Sequence, residues 1–462
     1  MRIFRLTFWG KAMADLQAFR GLRYDTSKVG SLTAVLAPPY DVINGELQNA
    51  LYDRSEYNVV RLILNRGDDL KEGETIYDQA AQYFHAWRRS GVLKPENEGS
   101  LYVYHQNFTY QGQNYNRRGF MARVRLEKFG EGRIYPHEET HSKAKEDRFR
   151  LNMACRANLS QIFGIFPDEH NQVQSLLESA IVDQPPLQAV DDQGAEHKLW
   201  VVSDPQLIAR VSELMGPKSI YIADGHHRYE TALNIQAAIR QQEQLTLPLG
   251  GHPVDYVLMN LVSMHDPGMA ILPTHRLFRG VEVLGSEDLI QKFGAFLDCQ
   301  VLGKGAKLAG EVWETIELED KQSTMGFYCR KDDTWIIARL TKAGEQLMEQ
   351  VAVEFSEDWR SLGVSILHRM LLPRLLGYES LPSPKYVHSL LEVVEGISFG
   401  DVSGRDATGQ EGSGSHFELV CLVMPASVEH VKSISEHGER MPAKSTYFYP
   451  KLLSGLVINP FE

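Results

Sequence analysis

Apolar and polar positions alternate with two clear periods along this chain. From Thr75 to Arg89, the residues Ile76, Ala80, Tyr83, Phe84 and Trp87 recur at helical spacing, which predicts an amphipathic helix. Leu101 to Asn107 and Arg118 to Leu126 alternate with period two around Gly112, as two paired strands do. Asn58 to Leu64 and Trp200 to Ser203 read as short strands. Ser219 to Ile222 reads as a buried strand, followed by a helix that sets Ala232, Ile235 and Ile239 on one face. Leu245 to Pro253 reads as a loop. Asp255 to Met264 and Met269 to Phe278 read as a hairpin around Asp266-Pro267-Gly268. Beyond Val281 the texture is α+β with mixed charge. There Leu362, Ile366, Leu367, Met370, Leu371 and Leu375 predict a buried helix that Pro373 should kink or end. Residues 400–415, rich in Gly, Ser and Asp, read as a mobile loop.

Composition narrows the classes. A chain of 462 residues holds two or three domains, and 43% hydrophobic residues is ordinary for a soluble globular protein. A net charge of −12 disfavours broad binding to a nucleic-acid backbone. Cys155, Cys299, Cys329 and Cys421 are scattered with no Cys-x-x-Cys pair, which argues against a disulfide framework or zinc ribbon and fits a reducing cytoplasm. The first 14 residues make no convincing signal peptide, and Met13 is an alternative start. No apolar run is long enough to cross a bilayer, so no membrane partner is expected.

The chemistry concentrates in Ala223-Asp224-Gly225-His226-His227-Arg228-Tyr229-Glu230-Thr231-Ala232, at the predicted strand-to-helix turn. Gly225, lacking Cβ, lets backbone approach a ligand closely. The first N–H groups of the helix and its dipole favour an anion above the turn, a phosphate first of all. His226, His227 and Arg228 add donors, and Arg228 suits bidentate binding. Asp224, a carboxylate beside a phosphate, would hold a metal ion or orient a donor. Set against this, strand-glycine-helix turns are common, and adjacent histidines also serve as surface or core residues. Their side chains diverge, so one ion rarely takes both.

A second cluster runs Tyr135-Pro136-His137-Glu138-Glu139-Thr140-His141, then Lys143, Lys145, Glu146, Asp147 and Arg148. His137-Glu138-x-x-His141 matches the zinc-peptidase pattern, which works only inside a helix. Pro136 places it at best across a helix start, and no third ligand is evident. Glu138 or Glu139 is available as a general base, with His137 to orient it. Apart from Asp147 and Arg148, the charges after 142 read as a solvated helix face. Leu36-Ala37-Pro38-Pro39-Tyr40-Asp41 reads as a rigid structural turn. His275 and Arg276 are candidates for an anion site or for edge-strand charge. Met441 to Lys451, with Lys444 and Lys451, is either part of a phosphate site or an aromatic C-terminal strap. P-loop, Rossmann and nucleophile-elbow motifs are absent, and no repeat is visible.

Taken together, these strings resemble a bacterial and archaeal family known as domain of unknown function 1015. They are Phe-Arg-Gly-Leu-Arg-Tyr at 19–24, Ala-Pro-Pro-Tyr-Asp-Val-Ile at 37–43, His-Glu-x-Thr at 137–140, Asp147-Arg148, Leu-Pro-Thr-His-Arg at 272–276, the turn at 223–232, and 441–451. The family's His-Glu-x-Thr does not need the second histidine. The family is similar to the ParB/sulfiredoxin-like superfamily, some of whose members phosphorylate free L-serine. The resemblance implies an α+β chain with a ParB/sulfiredoxin-like core. It implies an N-terminal region at 1–130, a phosphate-binding core at 131–280, and a C-terminal domain at 281–462 whose strap, 441–457, returns to the core. It implies a phosphotransferase making O-phosphoserine from L-serine, with Mg²⁺ and with ATP, ADP or pyrophosphate as donor. Glu138 would be the base, with His137 beside it. Asp224 would hold the metal, and Gly225, His226, His227, Arg228, Arg148 and Lys444 the phosphates. The chain is longer than the small serine kinases at both ends, which leaves room for a different donor or acceptor. The competing class is a non-catalytic sensor of a nucleotide or phospho-metabolite. Weaker alternatives are the zinc peptidase and a DNA-partition role, the latter opposed by the negative charge.

Overall fold

The computed structural model describes residues 14–68, 70–140, 142–378, 380, 383–400 and 416–462. Met13, His141 and most of the expected loop, residues 401–415, lie outside them. The described chain is mixed α+β and divides into two compact units. The first takes in 1–136, 140–270 and 450–462, and the second takes in 137–139 and 271–449.

The first unit is built on a nine-stranded sheet. Its strands are β1 (Leu16–Gln17), β2 (Leu101–Tyr110), β3 (Gln113–Arg125), β4 (Ile134–Tyr135), β5 (Ile162–Phe166), β6 (Leu187–Val190), β7 (Glu196–Val202), β8 (Ile220–Asp224) and β9 (Tyr256–Ser263). The spatial order is β4-β8-β5-β9-β3-β2-β7-β6, with β1 on β3. The expected hairpin is present: β2 and β3 pair antiparallel from Tyr102↔Met121 to Tyr110↔Gln113. Alternation decides which face is buried by helices. Val103, Phe120, Ala122, Ile162, Ile222 and Met259 meet Val173, Leu177, Val211, Met215, Tyr229 and Ala232 in one core. The opposite face carries Tyr104, Gln106, Arg117, Gly119, Phe163 and Asn260, and the C-terminal residues bond to it. The main-chain oxygens of Lys451 and Leu453 accept from the amides of Gln106 and Gln161, at 3.1 and 2.9 Å. Asn459–Pro460 pairs with Ala157–Asn158.

The helices that bear on the site are α1 (Ile76–Arg89), α2 (Ser142–Cys155) and α5 (His226–Gln242). Between them in sequence lie α3 (Gln172–Ile181) and α4 (Pro205–Met215), which cover the core face. Helix α1 begins at a capping box formed by Thr75 and Asp78 and buries Ala80, Phe84 and Trp87, as its period predicts. Helix α2 packs on both α1 and α5.

The second unit has a six-stranded antiparallel sheet of β10 (His275–Phe278), β11 (Leu297–Lys304), β12 (Thr324–Cys329), β13 (Thr334–Leu340), β14 (Lys385–Val387) and β15 (Leu419–Leu422). Its order is β11-β13-β12-β15-β10-β14. Helices α6 (Ala309–Glu319) and α7 (Leu390–Phe399) supply Val312, Ile316, Val393 and Ile397 to a core with Trp335, Ile337 and Val420.

Three expectations are corrected. Asn58 to Leu64 is a short helix, Val60–Ile63, and not a strand. A short, mostly apolar segment interrupted by Arg61 suits either form. Asn58 decides it, because its side chain accepts from the Val60 N–H and donates to the main-chain oxygens of Ala34 and Leu36. The hairpin at 255–278 does not form. β9 pairs with β3 and β5, Met269 to Phe278 breaks into Ala270–Leu272 and β10, and β10 pairs with β14 and β15. Pro273 falls at the break and removes a ladder donor. Finally, of the two outcomes expected at Pro373, a kink or an end, the end does not occur there. The proline lies inside a π-helical stretch, Leu367–Leu375, whose wider turn takes the ring.

Candidate functional site

The turn after β8 has the geometry its sequence predicts. Gly225 is the N-cap of α5 with φ +96°, and the helix continues for 17 residues. A register shift between Ile222 and Asp224 puts Asp224 opposite Phe163, on the face away from the helices. A Cβ on Gly225 would lie 2.9–3.0 Å from the Arg228 guanidinium, so the glycine is needed twice, for its φ and for this approach. Arg228 folds back over it. Its Nη2 is 3.3 Å from Asp224 Oδ2, and its Nη1 donates to the main-chain oxygen of Gln161. Lys451 Nζ lies 3.6 Å from the same Asp224 oxygen. His226 is buried, and His227 is half-buried on the first turn.

Arg117 extends this cationic surround. It is buried, donates to Gln106 Oε1 and to the main-chain oxygen of Pro450, and sits 4.9 Å over the Phe163 ring. Burial pushes its pKa down to about 10, opposed by the charges of Tyr104, Asp266 and Asp224. By bonding Pro450, Arg117 anchors the chain next to Lys451. Arg148, expected among the phosphate ligands, is buried on α2. It is held by Asp147 (Nε to Oδ2, 2.8 Å), by the main-chain oxygen of Ile63 (2.8 Å) and by the Tyr40 ring, 3.9 Å from its carbon. Tyr40 sits in the 3₁₀ turn Tyr40–Val42 that follows Pro39, so the Pro-Pro segment is a structural turn. Burial and Asp41 raise the pKa of this phenol, while the guanidiniums of Arg148 and Arg228 both pull it down. Thr140 Oγ1 donates to Glu230 Oε2 on α5 at 2.7 Å, and Lys145 Nζ reaches the same oxygen at 2.7 Å.

The second unit gathers Glu138, His137 and Lys444. Glu138 forms a parallel bridge with Met441, and the Met441 N–H donates to the His137 oxygen at 2.7 Å. His137 is fully buried, its Nε2 2.9 Å from Thr446 Oγ1. The carboxylate of Glu138 accepts from the backbone N–H of Lys444, a residue with φ +59°. Arg276 is buried and donates through Nη2 to the Lys444 oxygen at 3.0 Å. Lys444 therefore serves Glu138 through its main chain, a role that a lysine in a sequence does not advertise. Residues 137–140 are not helical. The zinc-peptidase spacing thus lacks the helix that would bring two histidines to one face. Among the described residues no group of three or more His, Cys, Asp or Glu side chains is placed to hold a metal ion.

All four cysteines are free, and three of them are buried. No helix among the described residues is long and apolar enough to cross a membrane.

Solved structures similar to this chain include a free serine kinase in complex with AMP, 11% identical, covering 68% of this chain and 83% of the other at a TM-score of 0.29. They also include SbnI with a C-terminal truncation from Staphylococcus aureus, at 11% identity, 73% and 86% coverage and a TM-score of 0.31. A conserved hypothetical protein from Pyrococcus furiosus has 11% identity, 69% and 89% coverage and a TM-score of 0.29. No curated protein matches the sequence. The model of the family described as "Protein of unknown function (DUF1015)" matches residues 16–365, and the chain belongs to that family.

Proposed function

We propose that this chain is a phosphotransferase that moves a phosphoryl group from a nucleotide or pyrophosphate to the hydroxyl of a small molecule, free L-serine in the first instance. The observation that carries the reading is the turn at Asp224–Arg228. A glycine-capped helix N-terminus is surrounded by Arg228, Lys451 and buried Arg117. Phosphoryl transfer asks of a protein chiefly that phosphate charge be neutralised and the nucleophile be oriented. The helix N–H groups, Arg228 and Lys451 supply the first, with His226 and His227 as further donors. Asp224 is one carboxylate beside a phosphate turn, which fits Mg²⁺, an ion usually held by one or two carboxylates together with substrate phosphates. Bound there, Mg²⁺ would supply charge neutralisation at the donor. Lys451 and Arg228, which balance Asp224 here, are then available to phosphate oxygens.

The second requirement goes to Glu138, as the base that takes the hydroxyl proton. The Lys444 N–H and the bridge to Met441 hold its carboxylate and backbone in one orientation. Serine as acceptor rests on the resemblance of the Pro-His-Glu and Asp-Gly-His-x-Arg strings to those of free serine kinases. The test is O-phosphoserine formation from L-serine and Mg²⁺ with ATP, ADP and pyrophosphate in separate reactions. We expect product with one donor, lost in Glu138→Gln while donor affinity stays within about twofold. Nucleotide binding by calorimetry without product from any donor would favour the sensor reading instead.

A further inference from the structure

On the sheet face that carries Asp224, two buried amides are left with unbonded ends. Asn260, in the middle of β9, is 1% exposed, and neither its Nδ2 nor its Oδ1 has a hydrogen-bond partner. Gln161, also 1% exposed, donates through Nε2 to Leu453, but its Oε1 has no partner. Turning the Asn260 amide over changes nothing, because both ends are unbonded. Buried polar groups are bonded almost without exception, and each one left unmade costs about 1–3 kcal/mol. Three such atoms close to a ligand-binding turn need an explanation.

Their placement supplies one. Register puts Asp224 opposite Phe163 on β5, and Phe163 opposite Asn260 on β9. These three residues form one rank across three strands, so the Cα atoms of Asp224 and Asn260 are about 10 Å apart. Gln161 is two residues before Phe163 and shares its face, and its own main-chain oxygen receives Arg228. The neighbouring strand is bare where the Asn260 amide leans. Asn260 Nδ2 lies 3.4 Å from where a Cβ on Gly119 would sit, and that Cβ would come within 2.6 Å of Leu261 O. Arg117 closes the other side, above Phe163 and within the field of Asp224.

The unmet atoms are two acceptors and one donor, rimmed by cations. A purine edge would satisfy the asparagine by a donor-acceptor pair and leave Gln161 Oε1 unmet. An α-amino acid matches all three: its ammonium donates to Asn260 Oδ1 and Gln161 Oε1, and its carboxylate accepts from Asn260 Nδ2 beside Arg117. We propose that Asn260 and Gln161 are specificity-determining residues that recognise the ammonium and carboxylate of an amino-acid acceptor. This rests on the phosphotransferase reading and names its substrate class. No bond is made or broken at these residues.

The test uses the full chain with Asn260→Leu, Gln161→Leu and, as probes, L-serine, ethanolamine, D-glycerate, ADP and pyrophosphate in calorimetry. In the wild type, L-serine binds and its two one-charge analogues bind at least about tenfold more weakly. In each variant L-serine affinity falls about tenfold or more, while ADP and pyrophosphate affinities stay within twofold. In Asn260→Leu the melting midpoint holds or rises, because leucine removes an unmet amide without removing a bond, whereas Gln161→Leu also loses the bond to Leu453 and melts lower. Three outcomes overturn the proposal: no binding of L-serine or another α-amino acid by the wild type, weakened ADP with unchanged pyrophosphate in Asn260→Leu, or, in Asn260→Leu, a lowered midpoint with unchanged affinities. The second would assign the amide to a nucleobase, and the third to a buried water. Amino-acid binding without O-phosphoserine would fail the kinase reading and leave this assignment standing.

Discussion

Gly225→Ala separates backbone strain from ligand chemistry at the turn. With φ +96°, an alanine at 225 costs about 1–2 kcal/mol in backbone conformation alone. Its methyl would also stand 2.9–3.0 Å from three atoms of the Arg228 guanidinium, which must then leave Gln161 and Asp224. Losing a charge-assisted bond to a main-chain oxygen adds about 1.5–3 kcal/mol. The sum, about 2.5–5 kcal/mol, lowers the melting midpoint by roughly 5–20 °C for a unit of this size. Donor affinity falls by about tenfold or more, since the displaced guanidinium is the expected phosphate ligand. The assay is a double-mutant cycle with Arg228→Met, read by thermal melting and by ADP calorimetry. In the Arg228→Met background the alanine meets no guanidinium, so its cost shrinks to the backbone part, about 1–2 kcal/mol. Equal costs in both backgrounds would show that the close approach has no energetic weight. An alanine variant with wild-type midpoint and affinity would refute the whole account of the turn.

Further predictions test the surrounding frame. Asp255 is fully buried and accepts from Arg240, Gln236 and the N–H groups of Gly250 and His252, so Asp255→Ala should lower unfolding free energy by about 3 kcal/mol in urea titrations. Thr75→Ala removes one half of the α1 capping box and should cost about 1 kcal/mol with donor affinity unchanged. In the second unit, burial and then the Arg276 charge lower the pKa of both His275 and His368 to about 3 from the usual 6.5. A depressed folded value means that stability is present above pH 6.5 and is lost as pH falls towards 3. Urea midpoints should therefore drop steeply below about pH 6, and His368→Leu should make that slope shallower.

What the sequence disclosed depended on how local each signal was. The strand-glycine-helix turn was legible because Ile220–Ile222, Gly225 and the helical period after it are contiguous. The pairing of β2 with β3 was legible because both strands alternate around one glycine. Val60–Ile63 was misread because so short a segment shows no decisive period, and the bonds that settle it come from Asn58 and from residues 34 and 36. Arg117 and Gln161 gave no signal, since their partners Pro450 and Leu453 are 333 and 292 residues away. Arg148 was singled out as a phosphate ligand, yet Asp147, Ile63 and Tyr40 occupy its guanidinium. Lys444 drew notice for its ammonium, and its peptide N–H also bonds Glu138, a contact that no sequence pattern announces.

The last residues of the chain belong to the first unit, and that fixes an order of events during synthesis. Gln161 leaves the ribosome 292 residues before Leu453, the residue it bonds. At 5–20 residues per second this is a wait of roughly 15–60 s. Over that interval the nascent sheet has Arg117 and Gln161 exposed without their carbonyl partners, and Asp224 has no lysine beside it. The usual sequence, in which an N-terminal body finishes first, is inverted here: residues 271–449 are all translated before the first unit can close. A message cut just before codon 451 would still encode all of residues 271–449 and yet lack Lys451.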